Sequence, residues 1–191
     1  MNMNAIAAYT ISLCWLLFLA YWIISARRLK VVVERQTRQA ALTYKLPTLL
    51  GGLLLWWPDA CPGLDLKIYE KPAALRLLAA ALCVGGLAVA FWARATLAGN
   101  WSSNVTFKKN HELIQTGPYR WARHPIYTGL LLMVIGTALQ GGRLGSWLGC
   151  LLMTLGFWIK LKYEEDLLLR HFPDTYPVYQ KRVKALVPFL L

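Results

Sequence analysis

The chain has 191 residues, 57% of them hydrophobic, and a mean hydropathy of +0.41. That apolar share exceeds the roughly 45–50% of an ordinary soluble domain. Because the apolar residues are concentrated in long runs, we expect a single membrane-embedded domain that comprises residues 1–191. The formal net charge of +12 fits either nucleic acid or anionic lipid, so the positions of the charges must decide between these partners.

Five apolar stretches follow one another along the chain, and each is interpreted as a helix. The first is long enough to span a bilayer, because about 20 residues cross the hydrocarbon core. No basic residue precedes it and no small-residue cleavage pattern follows it, so we expect a retained helix and not a signal peptide. The stretches are Ala5–Ser25, Ala40–Trp57, Leu77–Ala93, Ile126–Leu139 and Leu144–Ile159.

The last two stretches are short and are joined by a glycine-rich segment at residues 140–145, which predicts a tight helical hairpin. Small residues inside membrane helices allow close helix approach, and this interpretation applies to Gly51, Gly52, Gly85, Gly86, Gly129 and Gly136. The predicted fold class is therefore an all-α integral membrane bundle of about five transmembrane helices.

Basic residues are distributed unevenly among the predicted loops. All but four of the 21 lysines and arginines lie beside or after the first, third and fifth stretches. This asymmetry predicts an N-terminus outside and a C-terminus in the cytosol, and it assigns the charge to membrane lipids and not to nucleic acid. The loop after the first stretch carries Arg27, Arg28, Lys30, Arg35, Arg38 and Lys45, and the four exceptions are Lys67, Lys71, Arg76 and Arg143.

The four cysteines are Cys14, Cys61, Cys83 and Cys150. None forms a CxxC pair, and three lie inside apolar stretches, so neither a disulfide framework nor a metal site is expected. They are interpreted as small apolar side chains within helices.

Polar groups are densest in residues 117–129, at the start of the fourth stretch. Pro125 suits the first turn of a helix, where its missing N–H would have no partner, and the free N–H groups there favour a carboxylate. His124 and Tyr127 are three residues apart and share one helix face. The pattern fits a reactive site or an interfacial anchor equally well, because Tyr, Trp, Arg and His are common at headgroup level.

A second polar cluster occupies residues 160–166, where three consecutive acids follow the fifth stretch. Lys160 and Glu164 are one turn apart, which fits an ordinary helix ion pair of roughly 0.3–0.5 kcal/mol. A carboxylate at this membrane exit could instead bind ribose hydroxyls or a sulfonium cation. The aromatic tail at residues 172–179 is predicted to cap the helix ends on the cytosolic side.

The order of these motifs resembles the isoprenylcysteine carboxyl methyltransferases and their bacterial relatives. The resemblance rests on Gly117…Arg123-His124-Pro125-x-Tyr127-x-Gly129 followed by Glu164-Glu165, with further matches at Asn100-Trp101-Ser102, His111-Glu112-Leu113-Ile114 and Phe172…Tyr176…Tyr179…Pro188. It covers about residues 95–190. It therefore implies a cofactor-binding and catalytic half at 94–191, while 1–93 contributes N-terminal helices and topology.

The resemblance implies that S-adenosylmethionine is bound by the hairpin and the cytosolic cap, in a bacterial cytoplasmic membrane with the site facing the cytosol. The implied cofactor contacts are Asn104, His111, Glu112, Leu113, Ile114, Tyr119, His124, Pro125, Ile126, Tyr127 and Glu164. The expected catalytic residues are His124, Tyr127 and Glu165.

Lys160 departs from the family pattern, which has an arginine four residues before the glutamate. Lysine keeps the charge that would meet a substrate carboxylate but loses the two-pronged geometry of guanidinium. Lys160 is therefore expected to bind the acceptor, and the departure bears on the substrate more than on the cofactor.

The expected reaction is methyl transfer to a lipophilic acceptor entering from the bilayer, with the carboxylate of an isoprenylcysteine-like compound as first choice. A phospholipid amine or a small thiol is the alternative acceptor, and an amine would need a base such as His124 or Glu165. A membrane reductase using NADPH and a non-catalytic subunit that retains the motif are further alternatives. The sequence leaves the oligomeric state open.

Overall fold

The computed structural model of the protein describes residues 3–26 and 31–186. The basic residues Arg27, Arg28 and Lys30 and the matched Pro188 lie outside the described residues. Helices dominate, with α1 at Met3–Ser25, α2 at Arg38–Trp56, α3 at Ala73–Leu97, α4 at Pro125–Gly141, α5 at Leu144–His171 and α6 at Tyr176–Arg182. Short 3-10 turns occur at Pro58–Ala60, Ala98–Asn100 and Gly117–Arg120.

The predicted all-α membrane bundle is confirmed, since each of the five apolar stretches forms a long helix. Among the described residues, three helical segments are long and apolar enough to cross a membrane, namely Asn4–Ser25, Ala73–Asn100 and Leu144–His171. Helix α4 has 17 residues, and α2 carries two basic residues and Pro47. The number of membrane crossings therefore stays a prediction.

Helix α5 continues well beyond the apolar stretch that predicted it. The stretch ends at Ile159, whereas the helix ends at His171. The added residues are mostly Leu, Lys, Glu and Arg, which are good helix formers although they are polar in part. The continuation places Lys160, Glu164 and Glu165 on a rigid helix.

A short antiparallel sheet, which the all-α prediction did not include, joins the two halves of the chain. Strand β1 at Val32–Arg35 pairs with β2 at Thr106–Lys108, with Glu34 opposite Phe107. The carboxylate of Glu34 also pairs with His171, whose Nε2 atom lies 2.6 Å from Glu34 Oε2. Strand β1, which precedes α2, is thereby fixed against the segment that precedes α4.

Glycines set the closest helix contacts in the bundle. Helix α2 packs along α5 and α3 packs along α4. A Cβ added at Gly86 would lie 2.4 Å from the carbonyl oxygen of Gly129, and one added at Gly51 would lie 2.6 Å from that of Gly149. These pairs let the backbones touch, as the sequence predicted for Gly51, Gly86 and Gly129. The same prediction was wrong for Gly52 and Gly85, where an added Cβ would meet no atom within 4 Å.

Gly86→Ala should destabilise the protein, because backbone atoms of α4 occupy the position of the new methyl group. We expect a lower unfolding temperature in detergent and a loss of roughly 1–3 kcal/mol. The matched control is Gly85→Ala on the same helix, where an added Cβ meets no atom within 4 Å. Equal unfolding temperatures for the two variants would contradict the packing assignment.

The cysteines offer a test of the predicted topology. All four are free thiols, and Cys61 is exposed while Cys14, Cys83 and Cys150 are buried. Cys61 lies between α2 and α3, in a loop that the basic-residue pattern assigns to the outside. A membrane-impermeant maleimide should therefore label the protein in intact spheroplasts.

Cys61→Ser should abolish that labelling. In the same background, Lys109→Cys places a thiol at an exposed position next to β2, on the predicted cytosolic side. This variant should be labelled only after the membrane is permeabilised. Labelling of Lys109→Cys in intact spheroplasts would overturn the orientation.

Candidate active site

The N-terminus of α4, the second half of α5 and the segment between α3 and α4 enclose a cavity, here called the inner cavity. Helix α4 begins at Pro125, as the sequence predicted. His124 directly precedes this helix and Tyr127 lies in its first turn. Both side chains face α5, and their ring centroids are 5.8 Å apart. The inner cavity has a volume of about 170 Å³.

The carboxylate of Glu164 is the centre of the polar contacts in this cavity. The hydroxyl of Tyr127 donates a hydrogen bond to Glu164 Oε1 at 2.7 Å. Lys160 Nζ lies 3.6 Å from the same oxygen, and His124 Nδ1 lies 3.6 Å from Oε2. Tyr127, Lys160 and His124 thus converge on one acid, which the Tyr127 hydroxyl orients by a hydrogen bond and the other two approach at ion-pair distance.

His124 lies between two carboxylates. Its Nε2 atom is 3.4 Å from Glu165 Oε1, on the side opposite to Glu164. Burial alone would lower the pKa of His124, but hydrogen bonds and negative charges of Glu164 and Glu165 outweigh burial and raise the pKa above its usual value of 6.5. The imidazole therefore stays protonated over a wider pH range and is less available as a general base.

Glu165 points away from the inner cavity, although it adjoins Glu164 in sequence. Its Oε1 accepts hydrogen bonds from Arg123 Nε at 2.8 Å and Nη2 at 2.6 Å, and from the Tyr176 hydroxyl at 3.3 Å. Only 11% of the Arg123 side chain and 6% of the Glu165 side chain are exposed. This geometry favours a positioning role for Glu165, behind His124.

The C-terminal segment is attached to the site through Arg123. The Nη1 atom of Arg123 donates to the carbonyls of Gln180 and Val183. The backbone N–H of His124 donates to Ala185 O at 2.9 Å, and the Thr128 hydroxyl donates to Leu186 O at 2.7 Å. Residues 180–186 therefore form a cap over the start of α4, directly after the aromatic residues 172–179 for which the sequence predicted a cytosolic cap.

Seven predicted cofactor contacts and the predicted acceptor residue line the inner cavity, namely Asn104, His111, Tyr119, His124, Ile126, Tyr127, Glu164 and Lys160. Four others lie outside its walls. Glu112 is exposed, Ile114 is half-buried, Pro125 is buried at the helix start, and Leu113 packs against Tyr176 and its neighbours.

Several cavity residues were not expected from the sequence, including Trp22, Leu97, Thr106, Phe107, Leu167 and Leu168. Trp22 comes from α1, which was expected to contribute only topology. Phe107 stacks on the ring of His171 at 3.6 Å between centroids and lies 5.0 Å from the ring of His111. No local pattern marks these residues, because strand pairing and helix packing bring them to the site.

A second cavity, here called the outer groove, adjoins the inner cavity and is larger, at about 540 Å³. The two share Tyr127, Leu130 and Lys160 as walls. The outer groove runs along the exposed side of α2, and its further walls are mainly apolar, including Leu49, Leu53, Trp56, Trp57 and Phe157. Lys160 therefore lies where the inner cavity, which contains Glu164 and His124, meets the outer groove.

The sequence profile of the family described as "Phospholipid methyltransferase" matches residues 75–175. The matched segment includes most of α3, all of α4 and α5, and the residues around Glu164. It therefore contains nearly all of the inner-cavity residues, while α1, α2 and β1 precede it.

Curated relatives match between about a third and two thirds of the chain. Protein-S-isoprenylcysteine O-methyltransferase of Saccharomyces cerevisiae is 31% identical over 135 residues, which cover 66% of this chain and 55% of the yeast protein. The protein of the same name from Schizosaccharomyces pombe is 33% identical over 86 residues, covering 43% of this chain and 35% of its own length. Protein YpbQ of Bacillus subtilis, described as uncharacterised, is 29% identical over 70 residues, covering 37% of this chain and 42% of its own. This chain thus spans about half or less of the length of these relatives.

Proposed function

Since this chain belongs to the phospholipid methyltransferase family, we propose that it is an enzyme that transfers a methyl group from S-adenosylmethionine to a lipophilic acceptor in the membrane. The acceptor we propose is the carboxylate of an isoprenylcysteine-like compound. Two of the relatives are named for S-isoprenylcysteine and for O-methylation, and a carboxylate is the oxygen nucleophile that such a residue offers. The observation that carries the proposal is the junction of the inner cavity and the outer groove at Lys160.

The inner cavity contains the types of group that S-adenosylmethionine requires. Glu164 supplies a carboxylate that can accept hydrogen bonds from ribose hydroxyls or balance the sulfonium charge. Tyr119 and Tyr127 supply aromatic faces, and a cation over such a face gains roughly 0.5–2 kcal/mol. Asn104 adds an amide that can donate and accept. The residues present therefore fit the cofactor.

The outer groove offers a path for the lipophilic part of the acceptor. Leu49 and Leu53 are exposed on the surface of α2 that faces the groove, so an isoprenoid chain in the bilayer could enter sideways between helices. Lys160 Nζ lies 5.5 Å from the ring centroid of Tyr127 and 5.9 Å from that of Tyr44, at the end of the groove that meets the inner cavity. An ammonium group there would hold an acceptor carboxylate close to the cofactor.

The acid–base groups favour a carboxylate acceptor over an amine. A carboxylate reacts without losing a proton, whereas an ammonium group must first be deprotonated. Glu164 and Glu165 raise the pKa of His124, which makes its imidazole less available as a base, and Glu165 already accepts three hydrogen bonds from Arg123 and Tyr176. Neither residue is placed as a ready base, so a phospholipid amine is the second candidate.

The mechanism we propose relies on orientation and on exclusion of water. The inner cavity would hold S-adenosylmethionine, which when bound would supply a sulfonium methyl group for the acceptor oxygen, with a C–O bond formed, the C–S bond broken and S-adenosylhomocysteine left. Tyr127 and His124 hold Glu164 in place. The ammonium of Lys160, 3.6 Å from Glu164 Oε1, would align the acceptor carboxylate. Alignment of two reactants in line can lower the barrier by several kcal/mol.

The test uses purified protein, S-adenosylmethionine labelled in the methyl group, and N-acetyl-S-farnesylcysteine. We expect a labelled methyl ester, which releases labelled methanol on treatment with base. Base-stable label in an added phospholipid or thiol would instead support the alternative acceptors. Binding of NADPH without binding of S-adenosylmethionine, measured by calorimetry, would overturn the proposal in favour of a reductase.

Lys160→Met should raise the KM for the prenylcysteine roughly 30-fold or more, since truncating one partner of a desolvated charge pair costs about 2–5 kcal/mol or more. The affinity for S-adenosylmethionine should change little, and Lys160→Arg should retain activity. Lys162→Met is the matched control, because Lys162 is exposed on the same helix, with its ammonium 4.8 Å from the Trp158 ring centroid. Loss of cofactor binding with unchanged acceptor kinetics would assign Lys160 to the cofactor.

A further inference from the structure

We infer that Gly52, together with Trp56 at the end of α2 and Trp57 directly after it, determines the length of the lipid chain that the outer groove accepts. The inference rests on the proposed function, because the occupant is taken to be the isoprenoid chain of the methyl acceptor. It concerns the choice among lipid chains, which the family resemblance leaves open.

The outer groove follows α2 along its axis. Tyr44 and Lys45 lie at the end that adjoins Lys160, and Trp56 and Trp57 lie at the other end. A helix rises about 1.5 Å per residue, so the groove extends for about 18 Å between Tyr44 and Trp56. Gly52 lies about 12 Å from Tyr44, or roughly two-thirds of the way along the groove.

Two adjacent glycines of α2 have different surroundings. A Cβ at Gly51 would collide with Gly149 O at 2.6 Å, so helix packing requires glycine there. A Cβ at Gly52 would meet no atom within 4 Å, although glycine is less favourable than alanine within a helix. Packing gives no reason for glycine at position 52, and its open side faces the groove.

The geometry makes the effect of Gly52 depend on chain length. A carboxylate held near Lys160 leaves the attached chain extending toward Trp56, along walls formed by Leu49, Leu53 and Phe157. A short chain ends before it reaches Gly52, whereas a longer chain must pass it. The two tryptophans then limit the length beyond that point.

The experiment compares geranyl, farnesyl and geranylgeranyl derivatives of N-acetylcysteine as acceptors for Gly52→Leu and for the native chain. We expect the ratio of kcat/KM for farnesyl to that for geranyl to fall about tenfold in Gly52→Leu, because hydrophobic pockets discriminate single methylenes on this scale. Trp57→Ala should shift the preference toward geranylgeranyl. Gly85→Leu on α3 is the matched control, because Gly85 is equally open but lines neither cavity.

Affinities of the three compounds, measured by calorimetry, give the same comparison without turnover. Equal changes for all three chain lengths in Gly52→Leu, or the same change in Gly85→Leu, would overturn the inference. If the native chain binds and methylates the prenylcysteines but Gly52→Leu keeps its length preference, the proposed function stands and the role of Gly52 does not. If the native chain binds none of them, the proposed acceptor itself is wrong.

Discussion

Glu164→Gln should weaken S-adenosylmethionine binding by about 10- to 150-fold, which corresponds to the roughly 1.5–3 kcal/mol of a hydrogen bond to a charged group. Glutamine keeps the shape of the side chain but removes the charge that Tyr127, Lys160 and His124 surround. The amide can still accept one hydrogen bond, so folding should be largely preserved. Calorimetric titration with S-adenosylmethionine measures the loss directly.

Asp166→Asn is the control for this experiment. Asp166 lies on the same helix two residues later and is exposed, so the same chemical change there should leave the affinity unchanged. Identical dissociation constants for the native protein and Glu164→Gln would remove Glu164 from the cofactor site. A comparable loss in Asp166→Asn would show a general effect of charge and not a contact.

Glu165→Gln should destabilise the protein by roughly 3–5 kcal/mol, because breaking a buried ion pair leaves one charge without compensation. The charge left behind is the guanidinium of Arg123, which also holds the carbonyls of Gln180 and Val183 in the cap. The expected result is a lower unfolding temperature in detergent and protease cleavage near the C-terminal cap. Arg120→Met, at an exposed position nearby, is the control and should unfold like the native chain.

The double variant Arg123→Met with Glu165→Leu separates a positioning role from a catalytic one. Replacing both partners of a buried pair with apolar residues is often nearly neutral for stability, so the double variant should recover part of the stability lost in Glu165→Gln. If Glu165 only positions His124 and the cap, methyl transfer should recover together with stability. Recovered stability without any turnover would support the predicted catalytic role of Glu165.

The two neighbouring acids illustrate the limit of prediction from sequence. Sequence motifs identified Glu164 and Glu165 together and assigned one to the cofactor and the other to catalysis. Successive residues of a helix are rotated by about 100°, so the side chains leave α5 in different directions. Glu164 faces the inner cavity and Glu165 meets Arg123, which lies 42 positions away in sequence. Only the packing of α5 against the start of α4 decides which direction leads to the cavity.

The sequence by itself determined the features that depend on local pattern. The length of the apolar stretches predicted the five long helices, and Pro125 predicted the start of α4. The spacing of His124 and Tyr127 predicted that they share one face. These features are predictable because helix periodicity and helix starts are set within a few residues. The tertiary structure alone decided that β1 pairs with β2, that Trp22 reaches the inner cavity, and that an apolar groove joins that cavity at Lys160. These features depend on contacts between residues far apart in the chain. The packing of whole helices and the pairing of strands fix such contacts, and the local sequence around each residue does not.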